Sequence, residues 1–347
     1  MPQSAFLRPQ SAARRRGDRI NRRDVLFVLL ALGFCSLPLG AHAQRKVWRI
    51  GWILLRSRPA SLESDYLGGL SRGLRKLGYV EGRDFVIDWH FADGDHLRLP
   101  ALAAELVRRN PDLIMASGTP AALAAKRATE AIPIVIAGVT DPVATGLVAS
   151  LRRPGQNITG VTTLGAEAGS KHIEYLRSVL PKLSRVAALV DPSNPGHTVQ
   201  LKSIQAAAKS AGINVVSFGA DTVGQIDAAF RRMAQERLGA LVVVSSPFFV
   251  NQARQLADLT LAHRIVTIFE FRLHVTAGGL MSYGQDLEES MRGAAQYVDR
   301  ILKGAKPAEL PVQQATRLEL VINQKTAKAL GIKFPQEILV RADEVIE

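Results

Sequence analysis

From residue 47 onward, short apolar runs alternate with stretches whose apolar residues recur every three or four positions, the signature of strands and amphipathic helices in turn. Val47–Leu55 (VWRIGWILL) reads as a first strand. Ser61–Leu77 then places Leu62, Tyr66, Leu70, Leu74 and Leu77 on one helical face, and Gly78 follows where a C′ glycine belongs. A strand over Asp84–His90 and a helix over Leu97–Arg109 come next. Such alternation predicts right-handed crossovers and parallel sheet.

One sentence of this pattern is written four times. In Pro111–Lys126 a buried strand, Asp112–Ala116, runs through the turn Ser117-Gly118-Thr119 into a helix opened by Pro120, with Thr119 as the expected N-cap. Strand Ile134–Ala137 leads into Thr140-Asp141-Pro142 and a helix near Val143–Leu151. Strand Val186–Val190 leads into Asp191-Pro192-Ser193-Asn194-Pro195 and a helix over Thr198–Ala211, and strand Leu241–Val244 leads into Ser245-Ser246-Pro247 and a helix over Asn251–His263. Each unit points backbone N–H groups out of the carboxyl end of a strand, where partial negative charge is favoured. A capped βα unit is ordinary scaffold. Two in each half of the chain are what a cleft between similar lobes requires.

The pattern breaks at Arg153–Asn157, and extended Ile158–Thr163 reads as a first passage between lobes. A glycine-bounded strand at Gly278–Gly284, a long helix over Asp286–Leu302 and a strand at Leu318–Ile322 are left over after the second lobe, so the chain is expected to cross more than once. The expected division is residues 44–157 with 284–306 in lobe 1, and 158–283 with 307–347 in lobe 2. The fold class is α/β, with two Rossmann-like lobes, parallel sheets and a multi-crossover hinge.

Residues 1–43 stand outside this scheme. Seven arginines and two aspartates precede a 13-residue apolar run, Val25–Leu37, and Ala41-His42-Ala43 is a small-x-small cleavage site. The run is too short to span a bilayer, so it reads as a cleaved export signal and the mature protein as periplasmic. The single cysteine, Cys35, would leave with it, which excludes disulfides and thiolate chemistry from the mature chain. Roughly 300 residues remain, enough for two lobes of roughly 150 each. Without the seven arginines and two aspartates the formal net charge falls from +13 to +8. The basic residues are dispersed as pairs such as Arg108-Arg109 and Arg231-Arg232, which argues for a solvated surface and against nucleic acid as partner.

No catalytic constellation is legible. Gly69-Leu70-Ser71-Arg72-Gly73 matches G-x-S-x-G but falls in mid-helix, where a nucleophile elbow needs a strand-to-helix turn. Asp93-Gly94-Asp95 suits a loop better than a metal site. The seven histidines include no H-x-x-x-H pair, and neither dinucleotide nor triphosphate fingerprint occurs. An enzyme and a cofactor are therefore not expected; a hydrolase or transferase using the same cleft is the rival from another class.

The wording of LRKLGYVEGRDF, DPVATGLVASLRRPGQNITGVT, GGLMSYGQDLEESMRGAAQYVDRILKGAKPAELPVQQATRLELVIN and the ending RADEVIE resembles the ABC transporter substrate-binding protein family that includes tryptophan- and tyrosine-binding members. The resemblance runs from about Val47 to Glu347. It implies a type I periplasmic-binding-protein fold, three crossovers, a small solute held between the lobes, and delivery to a permease with a cytoplasmic ATPase at the inner membrane. A ligand-sensing partner of a membrane receptor would share fold and site.

The expected ligand is a small carboxylate-bearing solute, an amino acid or aromatic acid. Its anionic end would meet Ser117, Gly118, Thr119 and Pro120, helped by Thr140 and Asp141, while Asp191, Asn194, Ser245 and Ser246 would supply polar partners from the other lobe. Asp141 and Asp191 could bind an ammonium group or merely cap helices. Of the aromatics near strand ends (Trp52, Phe248, Phe249, Phe271, Tyr283), about two are expected to touch solute, and Arg56 and Arg58 flank the first cleft loop.

Overall fold

The computed structural model describes residues 46–315 and 317–347; the expected export signal, residues 1–43, lies outside the described residues. The described strands are β1 (Trp48–Leu54), β2 (Phe85–Phe91), β3 (Leu113–Ser117), β4 (Ile134–Val139), β5 (Ile158–Thr162), β6 (Arg185–Val190), β7 (Asn214–Gly219), β8 (Ala240–Val243), β9 (Val266–Phe269), β10 (Met281–Gln285), β11 (Gln313–Gln314), β12 (Leu318–Asn323) and β13 (Glu344–Ile346). They form two sheets, in the orders β11-β5-β4-β3-β1-β2 and β13-β12-β10-β9-β8-β6-β7. All pairings are parallel except β10 with β12. The central strand β3 is buried along its whole length, as expected of a strand covered on both faces.

The helices that matter for the site are α1 (Gly68–Lys76), α2 (Leu99–Arg108), α3 (Thr119–Ala128), α4 (Gly165–Val179), α5 (Pro195–Ser210), α6 (Val223–Gln235), α7 (Pro247–Asn251), α8 (Ala253–Ala262), α9 (Arg272–Thr276) and α10 (Leu287–Leu302). The chain passes between the sheets after β5, between β10 and α10, and between β11 and β12. α10 thereby returns to the first sheet, packing its buried Met291, Ala294, Ala295 and Val298 against α1 and β4. Gly69 and Gly73 let it approach: a Cβ on Gly73 would stand 2.6 Å from the Ala295 methyl, and one on Gly69 2.7 Å from the Glu288 carbonyl oxygen. The G-x-S-x-G stretch is thus a helix-packing seam.

Strand pairing moves the expected lobe boundaries. Ile158–Thr162 belongs to the first sheet, because Ile158 and Gly160 pair with Ile134 and Ile136, and the Asn157 side-chain amide donates to the carbonyls of Thr129 and Ile132. Gln313 and Gln314 pair with β5 as well, so the segment after residue 307 returns to the first sheet before β12 joins the second.

Two local expectations also change. The helix expected near Val143–Leu151 is a series of turns, in which Thr145 N–H donates to Asp141 O and Leu147 N–H to Pro142 O. Gly146, at φ +71°, takes the chain out of helical geometry after one turn. Gly118, not Thr119, is the N-cap of α3, and it offers no side-chain cap. The Thr119 hydroxyl instead accepts from the Thr140 amide at 3.2 Å, tying the ends of β3 and β4 together.

Candidate functional site

A cavity of about 40 Å³ lies between the carboxyl ends of the two sheets. A wider, more open groove of about 440 Å³ lies on the hinge side, its walls mixing Lys76, Arg292 and Arg317 with Asp286 and Glu289. The smaller cavity draws its walls from strand ends of both halves. From the first come Leu54, Arg56, Tyr66, the turn Ser117–Thr119, Ala137, Gly138, Thr140 and Thr163, and α10 adds Leu287 and Met291. The second half supplies Asn194, Ser245, Pro247, Val250 and Phe271.

Of the polar residues expected at the site, the structure brings Ser117, Gly118, Thr119, Thr140, Asn194 and Ser245 together around this cavity, with Phe271 among the aromatics. Pro120, Asp141, Asp191, Ser246, Phe248 and Tyr283 are not among its lining residues. Five of these six have another task, Pro120 simply standing in the first turn of α3. Asp141 closes its turn by accepting from the Ala144 amide at 2.9 Å. The Ser246 hydroxyl caps α7, accepting from Phe248 N–H at 3.0 Å. Phe248 packs on Phe249 inside the core, and the Tyr283 ring meets Tyr175 edge-on at 5.1 Å.

Trp52, also an aromatic candidate, is fully buried behind the cavity wall. It stacks on Trp89 at 4.5 Å and donates its indole N–H to the Ser117 hydroxyl at 2.9 Å, which holds that hydroxyl in place. Trp52→Phe removes this donor while keeping an aromatic plug. Urea unfolding should show a loss of about 1–2 kcal/mol; an unchanged midpoint would mean that the bond contributes nothing.

Arg56 and Tyr66 line the cavity although neither was among the expected ligand contacts. Tyr66 reads as one apolar position on a helical face, and nothing in its spacing marks it as a wall. Arg56 follows the first strand and was legible only as a flank. In the structure its guanidinium lies 4.9 Å from the Tyr66 ring centre and donates to Asp65 Oδ1 at 3.0 Å. Burial works against the charge, but Tyr66 and Asp65 outweigh it and hold the pKa above the ordinary arginine value. The Nε of Arg56 is buried and has no partner among the described residues. Arg58 instead stands 6.0 Å over Phe91.

The second wall is fixed by a buried polar network. Asp191 accepts from the Ser246 hydroxyl at 2.9 Å and from Ser193 N–H at 3.0 Å. Its own N–H donates to His197 Nδ1 at 2.8 Å, so the His197 Nε2 carries the proton and donates to the Ser245 carbonyl at 2.7 Å. Burial pushes the His197 pKa down to about 4, which keeps the ring neutral. Below it, Gln200 Nε2 donates to Glu270 at 2.7 Å, and burial pushes the Glu270 carboxyl up to about 7.

The sequence profile of the ABC transporter substrate binding proteins matches residues 57–346. The chain belongs to this family. A tyrosine-binding protein of Clostridioides difficile is 29% identical over 265 residues, covering 76% of each chain. Among solved structures, the ABC domain from Streptococcus pneumonia in complex with L-Trp is 27% identical, has a TM-score of 0.80, and is matched over 87% of this chain and 100% of that one. A ligand-free, open substrate-binding protein with adhesive properties from Clostridium difficile is also 27% identical, over 86% and 99% of the two chains, yet its TM-score is 0.62. This member of the family has the type I periplasmic-binding-protein fold. More distant neighbours, such as a solute-binding protein of Agrobacterium vitis at 16% identity and TM-score 0.57, share that fold.

Proposed function

We propose that the protein is the extracytoplasmic solute-binding component of an ABC importer, and that it captures a small carboxylate-bearing solute, an amino acid or aromatic acid, in the interlobe cavity. The observation that carries this reading is Arg56, a charged guanidinium in the cavity wall whose buried Nε has no hydrogen-bond partner among the described residues. Thr119, Thr140, Asn194 and Ser245 share the lining with it. The export signal read in residues 1–43 supports a periplasmic location, with a permease and its ATPase as partners. The family's tyrosine-binding relative and the L-Trp complex support an amino acid as solute.

Magnitudes favour a mixed site. A micromolar complex requires about 8 kcal/mol, whereas a helix end supplies about 0.3–1. A charge-assisted bond from Arg56 adds about 1.5–3 kcal/mol, and burial of an apolar group against Tyr66, Phe271, Leu287 and Met291 adds about 25 cal/mol per Å². The cavity has room for about three water molecules. A solute of amino-acid size must therefore enter an opened cleft and be enclosed as the lobes shut, so that binding shifts the population toward a closed form.

Calorimetry of the mature protein against a panel of amino acids and aromatic acids tests the reading, with native mass spectrometry of gently purified protein to identify any carried solute. Arg56→Gln is expected to weaken the tightest-binding carboxylate by tenfold to a hundredfold. Equal affinities for the acid and its amide, or for wild type and variant, would remove Arg56 from the site. Absence of compaction in small-angle scattering on adding a bound solute would remove closure.

A further inference from the structure

The two halves meet at a second place, outside the cavity lining. His96 opens the short turn His96–Arg98 that follows β2, on the first half, and its Nε2 lies 3.2 Å from Asp191 Oδ2 on the second. The Asp191 carboxylate is fully buried, while the imidazole keeps a side-chain exposure of 16%, so one partner is fixed and the other reaches it from the solvent edge. The Asp191 oxygen that faces His96 also accepts from Ser246, and the Asp191 amide continues through His197 to the carbonyl of Ser245, a cavity-lining residue. A contact at the seam is thus joined by short hydrogen bonds to the wall that faces solute. Nearby, Ser57 N–H donates to Asn251 Oδ1 at 3.1 Å, again from one half to the other.

We propose that His96 is a positioning residue that never touches solute: its bond to Asp191 latches the lobes shut, more firmly when the imidazole is protonated. This deepens the solute-capture reading and rests on it for its purpose. The groups that face the imidazole from the second half are the Asp191 carboxylate and, behind it, the neutral His197. On its own segment, Asp95 is engaged in capping Leu97 N–H and Asp93 is paired with Arg98, which leaves Asp191 as the carboxylate that His96 meets. A hydrogen bond from a charged donor is about twice as strong as its neutral counterpart. Protonation of His96 therefore favours the closed arrangement, and a neutral imidazole holds it less firmly. The sign is opposite to that of a lobe interface whose like charges repel on acidification.

The test uses the ligand-free mature chain, with donor and acceptor dyes on cysteines introduced at one exposed position in each half. The distance between the dyes is read from pH 5.5 to pH 8.0 in wild type and in His96→Gln, which keeps a hydrogen-bond donor but does not titrate. The expected result is a closed-to-open ratio that falls threefold to tenfold with rising pH in wild type and stays flat in His96→Gln. Identical profiles in the two proteins, or no movement in wild type, overturn the latch. Because no solute is added, a chain that latches but binds none of the panel would sink the solute reading and leave the latch standing. His96 lies in a surface turn, and a melting temperature within a few degrees of wild type confirms that the variant is folded.

Discussion

Replacing Gly118 with alanine should weaken solute binding at least a hundredfold. Two penalties combine. Gly118 sits at φ 82° and ψ 156°, a region that is essentially reserved for glycine and costs other residues about 1–3 kcal/mol. That strain is present in open and closed forms alike and lowers the melting temperature. The second penalty belongs to the closed form: the new Cβ would stand 2.7 Å from the Pro247 ring on the opposite half. Closure would have to stop short, and the contacts made by both halves would not be completed together. A hundredfold loss corresponds to about 2.8 kcal/mol, within reach of one forced overlap in a packed seam. Gly196→Ala separates the two terms. Gly196 is helical, so its backbone accepts alanine, but a Cβ there would meet Thr119 Oγ1 at 3.0 Å and the Thr140 Cβ at 3.1 Å. It should weaken binding less than Gly118→Ala, with little change in melting temperature. Calorimetry, scattering and thermal unfolding of both variants check the ranking, and wild-type affinity in Gly118→Ala would refute the seam.

The element pattern was legible because its physics is local. Apolar runs of strand length, prolines at helix starts and the C′ Gly78 each act within a few residues, and outside the segment after Pro142 the structure places strands and helices where they predict. What failed was decided at longer range. Residues 142–147 carry the composition of a helix start, but positive φ at Asp141 and Gly146 folds them into turns. Ile158–Thr162 reads the same in either lobe; its pairing with β4 is fixed by Asn157 and by main-chain bonds invisible in the string. At the cavity, turn residues such as Ser117 and Asn194 were legible because strand ends converge in a parallel fold. Tyr66 and Met291 were not, since one apolar position on a helix looks like another until the return of α10 decides which ones reach the cleft. Asp191 shows the converse. Its position after β6 suggested a ligand contact, and the structure turns its carboxylate toward Ser246 and His96.

The largest stability effect should appear on acidification. His172, His197 and His274 are buried, and burial pushes each imidazole down to about 4. Free histidine titrates near ~6.5, so between these values the unfolded chain binds protons that the native state refuses. Stability is therefore intact above about pH 6.5, falls as pH drops, and is fully lost at these sites near pH 4, by about 3 kcal/mol for each ring. Glu270 acts in the other direction. With its carboxyl pushed up to about 7 by burial, the native state binds the extra proton between there and the ordinary carboxylate range, returning about 3 kcal/mol as pH falls. Asp191 is pushed up by burial, but the hydrogen bond and charge of His96 and the neighbouring groups outweigh this and hold it below its ordinary value, so it adds to the loss once pH falls below that value. The net is a loss of roughly 6 kcal/mol between neutrality and pH 4, comparable with the total stability of many domains. Urea midpoints at pH 7.5, 5.5 and 4.5 should fall steeply, and a flat series would contradict the buried neutral rings. His172→Gln can still donate to the Tyr283 carbonyl that His172 meets at 2.7 Å, and should remove about a third of the histidine term. Glu270→Gln should do the reverse, raising stability at pH 8 and steepening the acid decline. That asymmetry follows from placing three bases and one acid in the same dry interior, where burial disfavours the charged form of each.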